Sequence, residues 1–363
     1  MRGTDHQQSH VFSYLSPESG VRKDHPLRAI RTMVDEVLSR LSPQFDRMYA
    51  SEGRPSIAPE KLLRAQVLQM LYSIRSERLL MEEIDYSILF RWFVGLNLDE
   101  EVWDATVFTK NRDRLLEAEV AKLFLAEVVE QAGEKGFTSD EHFTVDGTLL
   151  EAWAGAKSFQ RKDVQNPRST DDDPSNPTVN FHGERRSNRT HESKTDPEAK
   201  LARKSEGKEA KLSYSGNLLV ENRNGLIVNA MVWEANGTAE RDTALVMLEQ
   251  LPGQRRLTVG GDKGFDTADF VAECRHMQVT PQVAQNHKRS GGSAIDKRTT
   301  RHVGYGVSQR KRKRIEECFG WLKTIALLRK VRHRGLFKVD WVFTFACATY
   351  NLVRLRNLSV QAA

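Results

Sequence analysis

Three carboxylate side chains stand at the ends of segments whose pattern predicts regular structure. Asp146 follows the strand-like run Phe-Thr-Val, Asp262 follows Val-Gly-Gly, and Glu316 falls in the first turns of a late helix. Each has an ordinary structural explanation as a turn former, a cap or an ion-pair partner. If the fold brings them into one cleft, their charges repel unless a cation neutralises them. Oxygen ligands suit Mg²⁺ or Mn²⁺ and not zinc, so the three acids are candidate metal ligands.

Basic residues surround the third of these acids. A predicted helix at residues 309–331 carries Arg312, Glu316 and Lys323 on one face, with Gly320 between them. Its adjacent face is apolar and would pack on a sheet: Ile315, Phe319, Leu322 and Ala326. The preceding run is Arg310, Lys311, Arg312, Lys313 and Arg314. A self-neutralising surface helix is the ordinary explanation, but five consecutive cations exceed what two glutamates balance. The pattern therefore favours a helix that seats an anionic backbone.

The overall composition indicates a folded and mildly basic protein. A formal net charge of +6 over 363 residues favours a polyanionic partner only weakly, and 39 % hydrophobic residues are enough to bury a core. Cys274, Cys318 and Cys347 form no CxxC pair, so neither a disulfide framework nor a zinc ribbon is supported. The polar start has no signal-peptide character, and no run of about 18 apolar residues appears. We therefore expect a cytoplasmic protein with no membrane segment.

Residues 1–136 are predicted to form an all-α domain, because apolar residues recur at three- and four-residue spacing. Its clearest predicted helices span residues 62–74, 81–93 and 106–132. The first two resemble a helix-turn-helix pair that reads DNA, and Lys110, Arg112 and Arg114 on the third could touch DNA. An ordinary helical bundle that holds a dimer together is the alternative, and the sequence does not separate the two.

Residues 137–363 change to an α/β pattern. The predicted strands are residues 142–147, 212–221, 226–232, 257–261 and 279–283, and the predicted helices are residues 239–251, 267–277, 309–331 and 340–355. An Asn-Gly turn within residues 222–225 joins two apolar runs and predicts a β-hairpin. The order of elements is that of a sheet built from a hairpin followed by helical crossovers.

A polar insertion near residues 154–208 interrupts this pattern and is interpreted as a long loop. It contains Asp171–Asp173, His182 and His191, which are more simply solvated than metal-binding because nothing apolar would hold them still. Trp153 and Trp233 are interpreted as core or cleft-wall residues, with stacking on a flipped base as the alternative.

With these motifs in place, the sequence resembles the bacterial insertion-sequence DDE transposases of the groups named after insertion sequences four and five. The motifs are "TVDGT" around Asp146, "GGDKGFD" around Asp262 and the helix around the third acid. That family spaces a tyrosine, an arginine, a glutamate and a lysine along this helix, with two, three and six residues between them. Arg312, Glu316 and Lys323 keep the spacing, whereas Gln309 stands in place of the tyrosine. The resemblance covers most of the chain.

The resemblance implies a ribonuclease-H-like fold, in which a mixed five-stranded sheet is flanked by helices and preceded by the all-α domain. It implies that Asp146, Asp262 and Glu316 hold Mg²⁺, or Mn²⁺ in its place, for two-metal phosphoryl transfer on double-stranded DNA. The cations that would contact phosphates are Arg310, Lys311, Arg312, Arg314 and Lys323. It also implies a homodimer in the synaptic complex and a place on the bacterial nucleoid.

Three alternatives stay open at this stage. A nuclease of the same fold would cut DNA without joining it, using the same acids. A non-catalytic DNA-binding protein derived from such an enzyme would be expected to have a damaged acid triad, whereas all three carboxylates are present. A structural or protein-interaction module would leave the basic flanks around Glu316 unexplained.

Overall fold

The computed structural model describes residues 16–49, 56–117, 119–162, 186–204, 207–252 and 256–362. The elements before residue 137 are α1 (Pro17–Gly20), α2 (Leu27–Met48), α3 (Pro59–Leu71), α4 (Glu77–Tyr86), α5 (Ile88–Val94), α6 (Ala105–Glu117) and α7 (Val120–Glu134). The strands are β1 (His142–Glu151), β2 (Phe159–Arg161), β3 (His191–Ser193), β4 (Lys200–Ala202), β5 (Lys211–Glu221), β6 (Ile227–Glu234), β7 (Leu257–Gly261) and β8 (Val279–Val283). The later helices are α8 (Ala239–Glu249), α9 (Ala268–His276), α10 (Lys297–Thr300), α11 (Val303–Lys311), α12 (Arg314–Thr324) and α13 (Leu336–Ala362).

The main sheet is mixed and has β1 at its centre. β1 pairs antiparallel with β5 on one side and parallel with β7 on the other, and β7 pairs parallel with β8. Both β6 and the short β4 pair antiparallel with β5. The order β6–β5–β1–β7–β8 is that of the ribonuclease-H-like fold, so the predicted sheet is confirmed. β4 adds a short further strand that the sequence pattern did not indicate.

The β5–β6 hairpin closes through the predicted Asn-Gly turn. Gly225 has a φ of 74°, a conformation that glycine adopts without strain. The buried Glu221 carboxylate accepts hydrogen bonds from the backbone N–H groups of Arg223, Asn224 and Leu226, at 2.9, 2.7 and 3.2 Å. The turn is therefore held from inside by a charged acceptor, which fixes the register of the two strands.

Each face of the sheet buries an apolar core. On one face, Phe143 and Val145 of β1 pack among residues of α8 and α9. On the other face, Leu150 of β1 belongs to a core that includes residues of α12, α13 and the N-terminal helices. α13 contacts α2, α3 and α7 as well as β5 and β6. It is buried on nearly all sides between residues 339 and 352, so one continuous core joins the helical region to the sheet.

The late helix predicted at residues 309–331 is wrong in its extent. α11 ends at Lys311 and α12 begins at Arg314, and across the break Glu316 N–H donates to a carbonyl only three residues back, at 3.1 Å. After α12 the chain is extended: Glu151 of β1 donates to the carbonyl of Arg329 at 3.1 Å and accepts from Val331 N–H at 2.8 Å. These bonds to β1 replace those that a continuing helix would have made.

Three other predicted boundaries also differ. β1 does not stop after Gly147, because it keeps pairing with β5 as far as Glu151. The predicted helix at residues 81–93 is divided by Ser87, whose hydroxyl caps α5 by accepting from Phe90 N–H at 3.3 Å. The predicted helix at residues 106–132 is divided near Glu119, whose φ of 51° is incompatible with a continuing right-handed helix.

Part of the polar insertion is regular structure. β2 pairs with β3, and the His191 ring is buried there, stacked on Phe159 at a centroid distance of 5.5 Å. His191 Nδ1 is also 2.8 Å from Thr190 Oγ1, so this histidine is a packed core residue. Asp171–Asp173 and His182 lie outside the described residues. Within the described ranges, none of the helices has the length and apolar character needed to cross a membrane.

Candidate active site

Asp146 and Asp262 come together because their strands are parallel neighbours. In the β1–β7 register, Thr144 lies opposite Gly260, so the acids two residues further along each strand reach adjacent positions. Parallel strands lie about 4.8 Å apart, which brings the two carboxylates into one cleft. The Asp146 carboxylate accepts from Gly147 N–H at 2.8 Å, and that of Asp262 accepts from Gly264 N–H at 2.7 Å. The predicted pairing of these two acids is therefore present in the fold.

The surroundings of Asp146 do not fully compensate the negative charge of its carboxylate. Burial, and then the neighbouring charge of Asp262, raise the pKa of Asp146 to about 7. Glu240 acts in the same direction, while the Gly147 N–H bond and the Arg312 guanidinium oppose it. A bound cation would reverse this balance, because it stabilises the ionised carboxylate.

We expect this raised pKa to appear in the stability of the metal-free protein. The folded state holds a proton on Asp146 more tightly than the unfolded chain does, since the pKa rises from 3.8 to about 7. The free energy of unfolding should therefore increase as pH falls from about 8 to about 5, by at most about 1.4 kcal/mol per pH unit from this group. Urea unfolding in EDTA across that range measures it. Asp146→Asn should flatten the dependence, and identical pH slopes for the two proteins would contradict the assignment.

Glu240 is an acid of this cleft that the sequence analysis did not identify. It lies in the first turn of α8, and a Cβ placed on Gly147 would be 2.5 Å from its Cγ atom. Burial and the charge of Asp262 raise the pKa of Glu240 above its ordinary value. From the sequence alone, an acid in the first turn of a helix is expected only to interact favourably with the helix dipole. Only the tertiary arrangement places it beside Asp146.

The other predicted site residues lie along α12 and the break before it. Lys323 Nζ donates to Thr148 Oγ1 of β1 at 2.5 Å, and burial is the main cause that lowers the pKa of Lys323. The Cβ atom of Arg312 would be 3.7 Å from a Cβ on Gly260, so Arg312 lies over β7. Its Nε atom is buried without a hydrogen-bond partner in the described part of the chain. Both cations therefore flank the acids on the α12 side of the sheet.

Glu316 is placed differently from the two aspartates. It is exposed in the first turn of α12, the helix that packs on β1 through Lys323. Within the described residues, no group of three or more His, Cys, Asp or Glu side chains is arranged closely enough to hold a metal ion. The assignment of Glu316 as the third ligand therefore stays a prediction.

The basic run is not one uniform surface. Arg310 is exposed and Lys311 half-buried, whereas Arg314 donates to the backbone carbonyls of Asn222 and Arg223 in the β5–β6 hairpin. Gln309, where the family has a tyrosine, donates to the Gln282 carbonyl of β8 at 2.6 Å. Arg314 and Gln309 thus have structural partners. Among the described residues, no hydrogen bond or ion pair engages the side chains of Arg310, Lys311, Arg312 and Lys313, so these members remain open to a ligand.

Two further sequence interpretations need correction. Arg112 is buried and forms an ion pair with Glu77, so it is not available to DNA, whereas Lys110 and Arg114 are exposed. Trp153, interpreted as core or cleft wall, is 54 % exposed just beyond the end of β1, so it is not a core residue. In both cases the residue type was a poor guide because the ion pair and the loop after β1 depend on distant parts of the fold.

Two sequence families match the chain. The family described as "Transposase domain" matches residues 15–114, and the family described as "Transposase DDE domain" matches residues 179–352. The second match contains Asp262, Glu316 and Lys323, and Asp146 precedes it. The chain belongs to the DDE transposases. It is a DNA transposase, and its sheet positions Asp146 and Asp262, two of the three predicted acids, side by side.

No curated protein matches the transposase in sequence. Among solved structures, the cryo-EM piggyBac transposase synaptic complex with hairpin DNA has a TM-score of 0.41 at 10 % identity, covering 93 % of this chain and 76 % of that chain. The Mos1 strand transfer complex has a TM-score of 0.20 at 9 % identity, covering 94 % and 92 %. The mariner Mos1 paired end complex with Mn has a TM-score of 0.19 at 11 % identity, covering 90 % and 86 %.

Proposed function

We propose that this transposase cuts DNA at the ends of an insertion element and joins those ends to target DNA, with Mg²⁺ or Mn²⁺ as its cofactor. The observation that carries the proposal is the adjacency of Asp146 and Asp262 on the parallel strands β1 and β7. Two carboxylates in one cleft, with cations on the α12 side, fit a reaction in which a metal and an anionic phosphate meet.

The residues that would hold the metal are Asp146 and Asp262, together with Glu316 of α12 as the predicted third ligand. Their donor atoms are all carboxylate oxygens, which is the set that hard divalent cations prefer. The raised pKa of Asp146 also fits, because burial and then the charge of Asp262 disfavour the ionised carboxylate, which a bound cation would stabilise. A bound ion of this class activates the attacking oxygen and stabilises the leaving oxygen at phosphorus.

The DNA backbone would lie across the α12 side of the cleft. Arg312 and Lys323 flank the acids, and Arg310 and Lys311 extend the positive surface towards α11. Such contacts position DNA without reading its sequence. We assign recognition of the element ends to the N-terminal helices, with a bundle that holds a homodimer together as the alternative. A bacterial enzyme of this kind would act on the nucleoid in the cytoplasm.

The test is an assay of the wild-type protein on DNA that carries the element ends. We expect cleavage that needs Mg²⁺ or Mn²⁺ and, with a pre-cut end bearing a free 3′-hydroxyl, strand transfer into a target plasmid. Cleavage without strand transfer would favour the nuclease alternative. Binding without cleavage under either metal would favour a non-catalytic DNA-binding protein.

Lys323→Ala should weaken DNA binding in a way that depends on salt. Because Lys323 is held at the cleft by Thr148, we expect it to neutralise one phosphate, so its loss should reduce the slope of log K against log salt by about one. The loss of affinity should be similar for element-end and unrelated duplexes. Fluorescence anisotropy over a series of salt concentrations measures both. Lys23→Ala, an exposed lysine before α2, is the matched control, and an unchanged slope for Lys323→Ala would remove Lys323 from the interface.

A further inference from the structure

The start of α8 is fixed beside the turn that carries Asp262. The Asn236 side chain accepts from the N–H groups of Thr238 and Ala239 at 2.8 and 2.6 Å, which sets where the helix begins. Arg241 then donates to the Gly264 carbonyl at 3.3 Å, two residues after Asp262. The first turn of α8 is therefore tied directly to the Asp262 turn, and Glu240 stands between that turn and β1.

A glycine in β1 makes room for the Glu240 side chain. A Cβ on Gly147 would be 2.5 Å from Glu240 Cγ, 2.9 Å from Glu240 Cδ and 2.7 Å from Asn217 Oδ1. Contacts this short are not seen for real Cβ atoms, and Gly147 does not need a positive φ. The residue next to Asp146 is therefore glycine because the side chains of Glu240 and Asn217 both approach the strand here.

This approach is costly unless something compensates it. Glu240 is partly buried, and among the residues that the structure describes it has no hydrogen-bond or ion-pair partner, although Asp146 and Asp262 are its neighbours. The charge of Arg241 offsets part of this cost, but burial and Asp262 still raise the pKa of Glu240. Attraction to the helix dipole contributes only about 0.3–1 kcal/mol, and an exposed acid would gain the same. A cation shared with the two aspartates accounts for the burial, the absence of a partner and the clearance at Gly147 together.

We propose that Glu240 is a further carboxylate ligand of the divalent metal held by Asp146 and Asp262. Among the described residues these three carboxylates are not yet close enough together to hold one ion, so the proposal requires their side chains to rotate towards the metal when it binds. This inference rests on the proposed function, since it assumes that the cleft binds metal. It adds an acid from α8, on the opposite side of the sheet from α12, to the set that the family motifs indicate. The site then draws its ligands from elements on both faces of the sheet.

The test measures the affinity of the full-length protein for Mn²⁺ by isothermal titration calorimetry in the absence of DNA. We expect Glu240→Gln to weaken the Mn²⁺ affinity about tenfold or more. Asp242→Asn is the matched control, because Asp242 is an exposed acid in the same helical turn, and it should leave the affinity unchanged. If Glu240→Gln binds Mn²⁺ with the wild-type affinity while Asp146→Asn binds it more weakly, the proposed role of Glu240 is overturned but the metal site is not. Wild-type affinity in both would overturn the metal site itself.

Thermal unfolding separates a ligand from a helix-stabilising residue. If Glu240 serves the metal, Glu240→Gln should unfold at the wild-type temperature or higher without metal, and should lose most of the stabilisation that Mn²⁺ gives the wild type. A lower unfolding temperature without metal, combined with a full Mn²⁺ response, would mean that Glu240 only stabilises α8. Gly147→Ala, which displaces the Glu240 side chain, should reproduce the weakened Mn²⁺ response while keeping every carboxylate.

Discussion

Asp146→Asn is expected to reduce Mg²⁺-dependent cleavage by about 10³-fold or more, while DNA binding persists. The substitution keeps the size of the side chain and its position beside Asp262, but it removes the charge that a metal needs. Because the loss of one negative charge also relieves repulsion in the cleft, the folded protein should be no less stable than the wild type at neutral pH. Single-turnover cleavage of an end-labelled duplex, with anisotropy for binding, measures the two effects separately.

The matched controls for this experiment follow from the geometry. Asp242→Asn removes the same charge from an exposed position and should cleave at the wild-type rate. Asp262→Asn should be as defective as Asp146→Asn, because the two acids share one cleft. Glu316→Gln tests the exposed third acid. If it alone retained cleavage, Glu316 would be dismissed from the site and Glu240 would become the leading candidate for the third ligand.

Phe345→Ala is expected to lower the free energy of unfolding by about 3–5 kcal/mol. The ring is fully buried in α13, where it stacks on Trp341 with a centroid distance of 5.1 Å and lies 5.1 Å from Phe124 of α7. Its removal leaves a cavity at the point where the N-terminal helices meet the helix that covers the sheet. Since one core spans both regions, the loss should destabilise them together.

Urea unfolding followed by tryptophan fluorescence and by circular dichroism measures this effect. We expect the two signals to coincide and to shift by the same amount. Phe337→Ala is the control on the same helix, because Phe337 is 51 % exposed and should change the stability little. Two separate transitions, with only one of them displaced, would mean that residues 1–136 are stable independently of the sheet.

Local signals explain what could be predicted of the fold. The hairpin at residues 222–225 was predicted correctly because an Asn-Gly turn between apolar runs determines its own geometry. The helix at residues 309–331 was not, because its interruption depends on hydrogen bonds that Arg329 and Val331 make to β1, more than 170 residues earlier in the chain. Ser87 and Glu119 divide two further predicted helices through a cap and a left-handed backbone conformation, which apolar periodicity does not reveal.

The candidate site likewise contains residues that local motifs indicate and one residue that only the fold indicates. Asp146 and Asp262 follow from short motifs at strand positions, and the parallel register of β1 and β7 brings them together. Glu240 lies in a helix that was predicted correctly, yet nothing local distinguishes it from a surface acid. Only the clearance above Gly147, a property of β1, α8 and Asn217 together, identifies it. Local motifs therefore indicate Asp146 and Asp262 as candidates, whereas Glu240 becomes a candidate only once the fold is known.

The attachment of α12 at both ends affects the entropy that Glu316 would lose if it binds the proposed metal. Its first residue, Arg314, donates to the hairpin carbonyl of Asn222 at 3.3 Å, and beyond its last turn the chain is hydrogen-bonded to Glu151. Ordering an 11-residue helix would cost roughly 1–2 kcal/mol per residue, whereas choosing one rotamer for Glu316 costs about 0.5–1.5 kcal/mol. Because α12 is already ordered without metal, we expect the backbone conformation of α12 to be the same in the metal-bound and metal-free enzymes.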